Sequence, residues 1–367
     1  MFNGEKINNT EGRCVLHVSL RKPATQSLIV DGVDVVKEVH ETNSKIRQFS
    51  ESVRNGKILG HTGKKLQNLV AIGIGGSFLG PEFVFEALRF DATCRSASAG
   101  MNLKFLANVD PIDFFRATDG LDVESTLFII VSKTFTTAET MLNARTCRQH
   151  ILDYYRKAMP GCDAAEVLSK HLCAVSTNLK ATKEFGIKDE NVFGFWEWVG
   201  GRFSVSSAVG LVPLSLFYGF DNMQSFLDGM HAIDTHYSTE TDIMKNVPAL
   251  LGFLGWYNSF VAGHACRAIL PYCQALIRFP AHIQQCDMES NGKTVTRDGV
   301  RYESGVEAGS IIFGEPGTNG QHSFYQLMHQ GRVIPAEFIG FTKSQTPIKL
   351  DGEAVNSHNE LMSNFFA

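Results

Sequence analysis

Four short apolar runs punctuate the first half of the chain: Leu69–Gly75, Leu103–Val109, Thr126–Ser132 and Leu172–Thr177. Segments of helical periodicity separate them. Runs of this length without polar alternation suit strands buried on both faces, and helices between them suit crossovers of a parallel sheet. The pattern therefore predicts an α/β protein with doubly wound parallel sheets. After Gly80, Pro81 fits a first helical position, and Phe83, Val84, Ala87 and Leu88 make an apolar stripe. Thr136 and Glu139 stand at capping-box spacing ahead of a helix whose apolar face includes Met141, Leu142, Cys147, Ile151 and Leu152. Further strands are expected at Ala268–Cys273, Ser310–Phe313 and Val333–Phe338. A turn at Tyr218–Asn222 marks a boundary near residues 215–225, between a first domain over 35–215, which an N-terminal segment over 1–34 precedes, and a second over 216–367.

Net charge is −4 over 367 residues, with 20% charged side chains, so no wide basic field marks a nucleic-acid or membrane-surface protein. The eight cysteines form no C-x-x-C pair and no zinc spacing with histidine, which indicates neither a structural metal nor a redox motif. They are expected to be reduced and mostly buried. The opening MFNGEKINNTEGR has no basic-then-apolar leader. Two stretches without charge, Phe203–Phe220 and Asn246–Cys266, are expected to be buried helices rather than bilayer spans. The chain reads as soluble and cytoplasmic.

Five segments carry residues with chemical potential. In Ile72–Gly80 a glycine loop follows a strand and precedes a helix, so backbone N–H groups can approach an anion; a tight strand–helix turn would look the same. A dinucleotide fingerprint needs glycine where Phe78 stands, and a phosphate-loop motif needs Gly-Lys-Ser/Thr where Gly80 meets Pro81. In Ser132–Thr137, hydroxyls and Lys133 collect ahead of a helix N-terminus, which suits a phosphate monoester; capping alone would not require the lysine. In Phe195–Ser204, Gly200-Gly201 places close backbone approach beside Arg202, a cation able to stabilise an enediolate or simply to form a surface ion pair. In Gln284–Lys293, Asp287 and Glu289 cannot share one helix face; one carboxylate is free to serve as a general base, or both are solvated. In Gly314–Phe324 a glycine-rich loop presents His322, a proton carrier near neutral pH, while His329 sits inside a helical run as a structural residue.

Taken in order, the blocks MFNGEKIN, IGIGGS, SKTFTTAET, WVGGRFS, DMESNGK and GEPGTNGQHSFYQL resemble the phosphoglucose isomerase family along nearly the whole chain. ANVDPID and SHNELMSNFFA are similar to its plant-type cytosolic branch. The resemblance implies a pair of doubly wound sugar-isomerase (SIS-type) domains, the second incomplete. It implies interconversion of glucose 6-phosphate and fructose 6-phosphate, with no metal or organic cofactor. It further implies that Gly76, Ser77, Ser132, Lys133, Thr134 and Thr137 hold the substrate phosphate. Glu289 would shuttle the proton through a cis-enediol, Arg202 would stabilise that intermediate, and Gln285 would line the pocket. His322 would help open the sugar ring in the active site of a partner subunit, within a homodimer. Family chains begin upstream of MFNGEKIN and continue beyond SNFFA, so the resemblance implies truncation at both ends and impaired activity. The family's ring-opening lysine is assigned to no residue here. Phe78 stands where many relatives carry aspartate, and Cys286 where glycine is common.

Overall fold

The strand Thr126–Val131 has every residue buried, and its neighbours Asn68–Ile72 and Leu172–Val175 are buried throughout as well. In a strand successive side chains face opposite ways, so burial of both sets requires a layer on each side. The structure, a computed structural model, describes residues 1–303, 308–348 and 351–367. It supplies those layers. Its elements comprise a small antiparallel hairpin, β1 (Ile29–Val30) and β2 (Val33–Asp34), and eight further strands. Those are β3 (Asn68–Ile72), β4 (Asn102–Leu106), β5 (Thr126–Val131), β6 (Leu172–Val175), β7 (Val192–Phe193), β8 (Cys266–Pro271), β9 (Ile311–Phe313) and β10 (Ala336–Ile339). The α-helices are α1 (Val35–Arg54), α2 (Leu79–Leu88), α3 (Ala92–Ala97), α4 (Pro111–Thr118), α5 (Ala138–Ala158), α6 (Ala164–His171), α7 (Leu179–Phe185), α8 (Ala208–Tyr218) and α9 (Phe220–Thr239). They continue with α10 (Val247–Trp256), α11 (Phe279–Asn291), α12 (Tyr325–Gln330) and α13 (Ser357–Phe366).

Residues 1–82 and 93–232 form one compact unit, and residues 83–92 with 233–367 form a second. In the first, the five strands lie in the order β4-β3-β5-β6-β7, all parallel. In chain order this is 2-1-3-4-5, the flavodoxin-like doubly wound arrangement, whose topological switch falls between β3 and β5. Val70, Ile72, Phe128, Ile130, Leu172 and Ala174 point to one face, where Ala144, Cys147 and Ile151 of α5 and Val167 and Leu168 of α6 pack on them. The opposite face is covered by α8, in which every residue is buried and which also packs along α1. Each Val, Leu, Ile or Phe side chain among them stabilises the fold by about 1.5–3 kcal/mol when taken from water. Arg54, at the end of α1, donates to the carbonyls of Leu216 and Phe217 at 3.0 and 2.7 Å, where α8 leaves its last C=O groups unpaired.

The second unit carries a three-stranded parallel sheet in the order β10-β8-β9. Ala268, Leu270 and Tyr325 form its buried cluster, with Phe313, Phe324 and Met328 packed against it.

Several expectations change in detail. Helix α2 begins at Leu79, so Pro81 lies inside its first turn, where a missing N–H breaks no helical bond. The capping box is not formed: Thr137, not Thr136, is the N-cap of α5, and its side chain makes no capping bond. Thr136 instead meets the Thr134 hydroxyl at 2.6 Å, while Leu142 of α5 faces solvent. All eight cysteines are free thiols, but only Cys14, Cys94, Cys147 and Cys173 are buried; the other four are half-buried. Of the two uncharged stretches, Phe203–Phe220 is an interior helix as expected. Asn246–Cys266 is not: none of the residues of α10 is buried. The helix is apolar on every side, and no described layer covers it. Among the described residues no helix is long and apolar enough to cross a membrane.

Candidate functional site

Strands β3 and β5 flank the switch, and doubly wound sheets take ligands beyond the C-terminal ends of the strands at that point. The loops there are the glycine segment 73–78 and the hydroxyl-rich segment 132–137. In the first, Gly75 takes φ +58°, and Gly75–Ser77 make one 3-10 turn before α2. A Cβ on Gly76 would overlap the carbonyl of Gly201, so only glycine lets this turn press against the 200–202 segment. Ser77 and Arg202 are thereby carried to one neighbourhood of the first unit. Phe78 turns aside and packs edge-on against Phe105 of β4, ring centroids 5.8 Å apart.

In the second loop Phe135 adopts a left-handed conformation, φ +58°, uncommon for a bulky residue. Its ring is buried and packs edge-on against Phe185 at 5.6 Å, and that burial offsets the backbone cost. With Phe135 pinned inward, its neighbours Thr134, Thr136 and Thr137 stay exposed. The loop is stitched to the segment after β6. The Lys133 carbonyl accepts from Ser176 Oγ (3.1 Å) and Thr177 Oγ1 (2.8 Å), and Asn178 Nδ2 donates to the Thr134 carbonyl at 3.1 Å. Ser132 Oγ lies 3.4 Å from Thr137 Oγ1, at the start of α5, a helix long enough to carry a full terminal dipole.

Lys133 is half-buried. Its ammonium lies 3.4 Å from the carbonyl oxygens of Glu197 and Val199, 3.6 Å from the Glu197 carboxylate, and over the Phe195 ring. Burial lowers its pKa, against the opposing pull of Glu197. Arg202 stacks over Phe203, whose ring lies 4.9 Å from His17. Trp196 and Trp198 stack at 4.9 Å, consistent with packing roles.

The second unit holds the remaining candidates. Glu289 is in the last turn of α11 and exposed, whereas Asp287 turns to Arg267 on β8, Asp287 Oδ2 to Arg267 Nη2 being 2.8 Å. The two carboxylates do diverge. Gln285 Oε1, one turn earlier, is buried with no hydrogen-bond partner. A cavity of about 550 Å³ opens where α11 ends, lined in part by Met288, Gly292, Lys293, Tyr302 and Ser310. His322 is exposed on the 3-10 turn Asn319–His322. Gln321 next to it is tied to Tyr272 Oη at 2.9 Å, and Gly317 packs so closely on the Tyr272 ring that a Cβ would collide with it. His329 faces the Tyr325 ring within α12 and its surroundings.

Gly76, Ser77, Ser132, Lys133, Thr134, Thr137 and Arg202 lie in the first unit, and Gln285, Glu289 and His322 in the second. Motif spacing did not reveal Glu197 and Arg13 as neighbours of Lys133, because Arg13 and Glu197 are 184 positions apart.

A doubly wound domain of order 2-1-3-4-5, with a glycine turn and a hydroxyl loop at its switch point, is an α/β protein of the kind that takes anionic ligands at strand ends. The phosphoglucose isomerase family model matches residues 1–367. The chain belongs to that family. The cytosolic glucose-6-phosphate isomerase of Zea mays is 56% identical over 367 residues, which is 100% of this chain and 63% of that protein. The cytosolic enzyme of Spinacia oleracea is also 56% identical, with the same coverage. A glucose-6-phosphate isomerase from Chlamydia trachomatis superposes with a TM-score of 0.82 at 33% identity, covering 97% of this chain and 64% of that one. The chain therefore spans about 63% of the length of the curated relatives it matches.

Proposed function

We propose that this chain handles hexose 6-phosphates as an aldose–ketose isomerase, interconverting glucose 6-phosphate and fructose 6-phosphate. The observation that carries this reading is that the 73–77 turn packs on the 200–202 segment while Lys133 of the 132–137 loop reaches the Glu197 and Val199 carbonyls beside it; their backbone N–H groups, hydroxyls, ammonium and guanidinium suit a phosphate ester. Gly76, Ser77, Ser132, Lys133, Thr134 and Thr137 hold the phosphate. Glu289 takes the proton from C2 of the open-chain aldose, and the electron pair moves into the C1 carbonyl to give a cis-enediol. Arg202 stabilises the charge gathering on oxygen. The same carboxyl returns the proton to C1 as the O2 proton passes to O1, which completes the ketose without gain or loss of atoms. His322 passes a proton at the ring oxygen when the cyclic sugar opens, and it does so in a partner subunit's site, so the working form is a homodimer. Gln285, with its unpartnered carbonyl oxygen, lines the sugar pocket. The chemistry calls for no metal or organic cofactor. The Zea mays and Spinacia oleracea relatives are named cytosolic, and the same location is proposed here.

The test is Glu289→Gln, assayed by coupled isomerase turnover in this chain and in one extended to the length of the maize relative. Gln keeps the shape and removes the base, so turnover disappears while fructose 6-phosphate still binds. Retained turnover removes Glu289 from the base role. Binding without turnover in both unmutated chains replaces the isomerase with a non-catalytic sugar-phosphate module.

A further inference from the structure

Lys133 lies in a small charge cluster that is balanced without any ligand. Its ammonium is 3.6 Å from Glu197 Oε2, and Arg13 reaches the same carboxylate oxygen at 2.9 Å and the Glu197 carbonyl at 2.8 Å. Arg13 is also paired with Glu11. Two cations and two carboxylates therefore face one another. Glu197 is the most exposed of the ion pairs' members, at 73%, while the Lys133 side chain is only 26% exposed. We propose that Glu197 is an affinity-setting counter-ion of the phosphate site: it holds Lys133 when the site is empty, and an incoming phosphate dianion must take the ammonium from it.

The exchange strands no charge, because Glu197 keeps Arg13 when Lys133 changes partner. An ammonium has three donors, and two of the groups it now faces are carbonyls at 3.4 Å, long enough to be given up readily for a charged oxygen. The exposed carboxylate is screened by water, so its competition is modest rather than prohibitive. Arg13 sets its strength: with Arg13 in place Glu197 divides its charge between two cations, and without Arg13 the whole of it falls on Lys133. In this way an arginine of the N-terminal segment tunes a lysine more than a hundred residues away in sequence. The inference rests on Lys133 being a phosphate ligand, as proposed above.

Inorganic phosphate and fructose 6-phosphate, titrated calorimetrically into the chain and its variants, test it. Glu197→Gln is expected to bind both about threefold tighter at low salt, with the gain shrinking as salt screens the pair. Arg13→Met is expected to bind both more weakly. Damage to the site cannot produce the first result, since damage weakens binding. Unchanged or weaker binding by Glu197→Gln overturns the proposal. A ligand-free measurement decides it separately: acetylation of Lys133 by acetic anhydride, followed by peptide mass spectrometry, proceeds faster in Glu197→Gln, and an unchanged rate overturns it. Lys133→Met addresses the underlying reading. If that variant binds phosphate as well as the parent, Lys133 is not a phosphate ligand, whatever Glu197 does.

Discussion

Tyr155 Oη lies 2.9 Å from Nε2 of His171, an imidazole with no exposed surface in the first unit. The backbone N–H of His61 reaches the same nitrogen at 3.2 Å, and His171 Nδ1 lies 2.8 Å from the carbonyl of Thr126, the first residue of β5. A carbonyl accepts, so Nδ1 carries the hydrogen and Nε2 receives both other bonds. The ring is neutral and fully used. It ties α5, the end of α6 and the 60–61 turn to the N-terminal edge of the sheet, the end opposite the candidate site.

Burial holds the His171 pKa below its ordinary value, against the pull of Thr126. The unfolded chain takes up this proton near pH 6.5, and the folded chain only at lower pH. Stability is therefore intact above about pH 6.5 and falls as the pH drops below it. His171→Phe is expected to cost about 3 kcal/mol at pH 7.5, through lost hydrogen bonds to buried groups, and to reduce the loss of stability between pH 7 and 5. Urea denaturation at several pH values checks both parts. A slope as steep as the parent's would show that the titration lies elsewhere.

His282 makes a second acid-sensitive point, in the second unit. Its ring stacks on Phe83 at 5.4 Å, and burial pushes its pKa down to about 4. By the same linkage, about 3 kcal/mol of stability is lost between pH 6.5 and 4 as the unfolded form alone takes the proton. Hydrogen exchange across residues 279–291 is expected to accelerate over that range, and His282→Phe to suppress the acceleration. Exchange independent of pH-driven opening in the parent would contradict this.

Gly76 and Gly201 provide a paired test of the loop contact. A Cβ on Gly76 runs into the Gly201 carbonyl, whereas one on Gly201 meets nothing within 4 Å. Gly76→Ala is expected to destabilise the first unit by about 2 kcal/mol or more and to weaken phosphate binding, and Gly201→Ala to leave stability within about 0.5 kcal/mol. Thermal melts and phosphate titration of the two variants, side by side, decide it.

Arg267 joins Asp287 at 2.8 Å and Glu337 of β10 at 3.4 Å, with only 17% of its side chain exposed. Replacing it by Met leaves two half-buried carboxylates facing each other without a cation. The expected cost is about 3 kcal/mol, localised to the second unit and to α11, the helix that carries Gln285 and Glu289. Limited proteolysis after urea titration should cut residues 266–291 first. Equal resistance in parent and variant would remove the ion pairs from the stability of this unit.

The strand runs were readable because strand burial leaves a local signature: Leu69, Ile129 and Cys173 sit in runs with no polar partner, and each is fully buried. Boundaries were less readable, since β3 ends at Ile72 and its glycines belong to the turn. The candidate loops were legible as motifs, because glycine, hydroxyl and lysine at a strand end carry their chemistry in the residue type. Helix α10 departs from the burial its composition predicts, for a physical reason. Apolar composition says what a helix would gain by burial, and nothing about whether a partner is there to bury it.

The amino-acid order alone determined the α/β class, the parallel pairing and which short segments can meet an anion, because strand, helix and turn preferences act over a few residues. The folded chain alone decided that Asp287 turns to Arg267 while Glu289 does not, that Phe135 is locked in a left-handed turn, and that Arg13 and Lys133 share Glu197. Those relationships join positions far apart in the chain, and only packing brings them within the few ångströms over which charges and hydrogen bonds act.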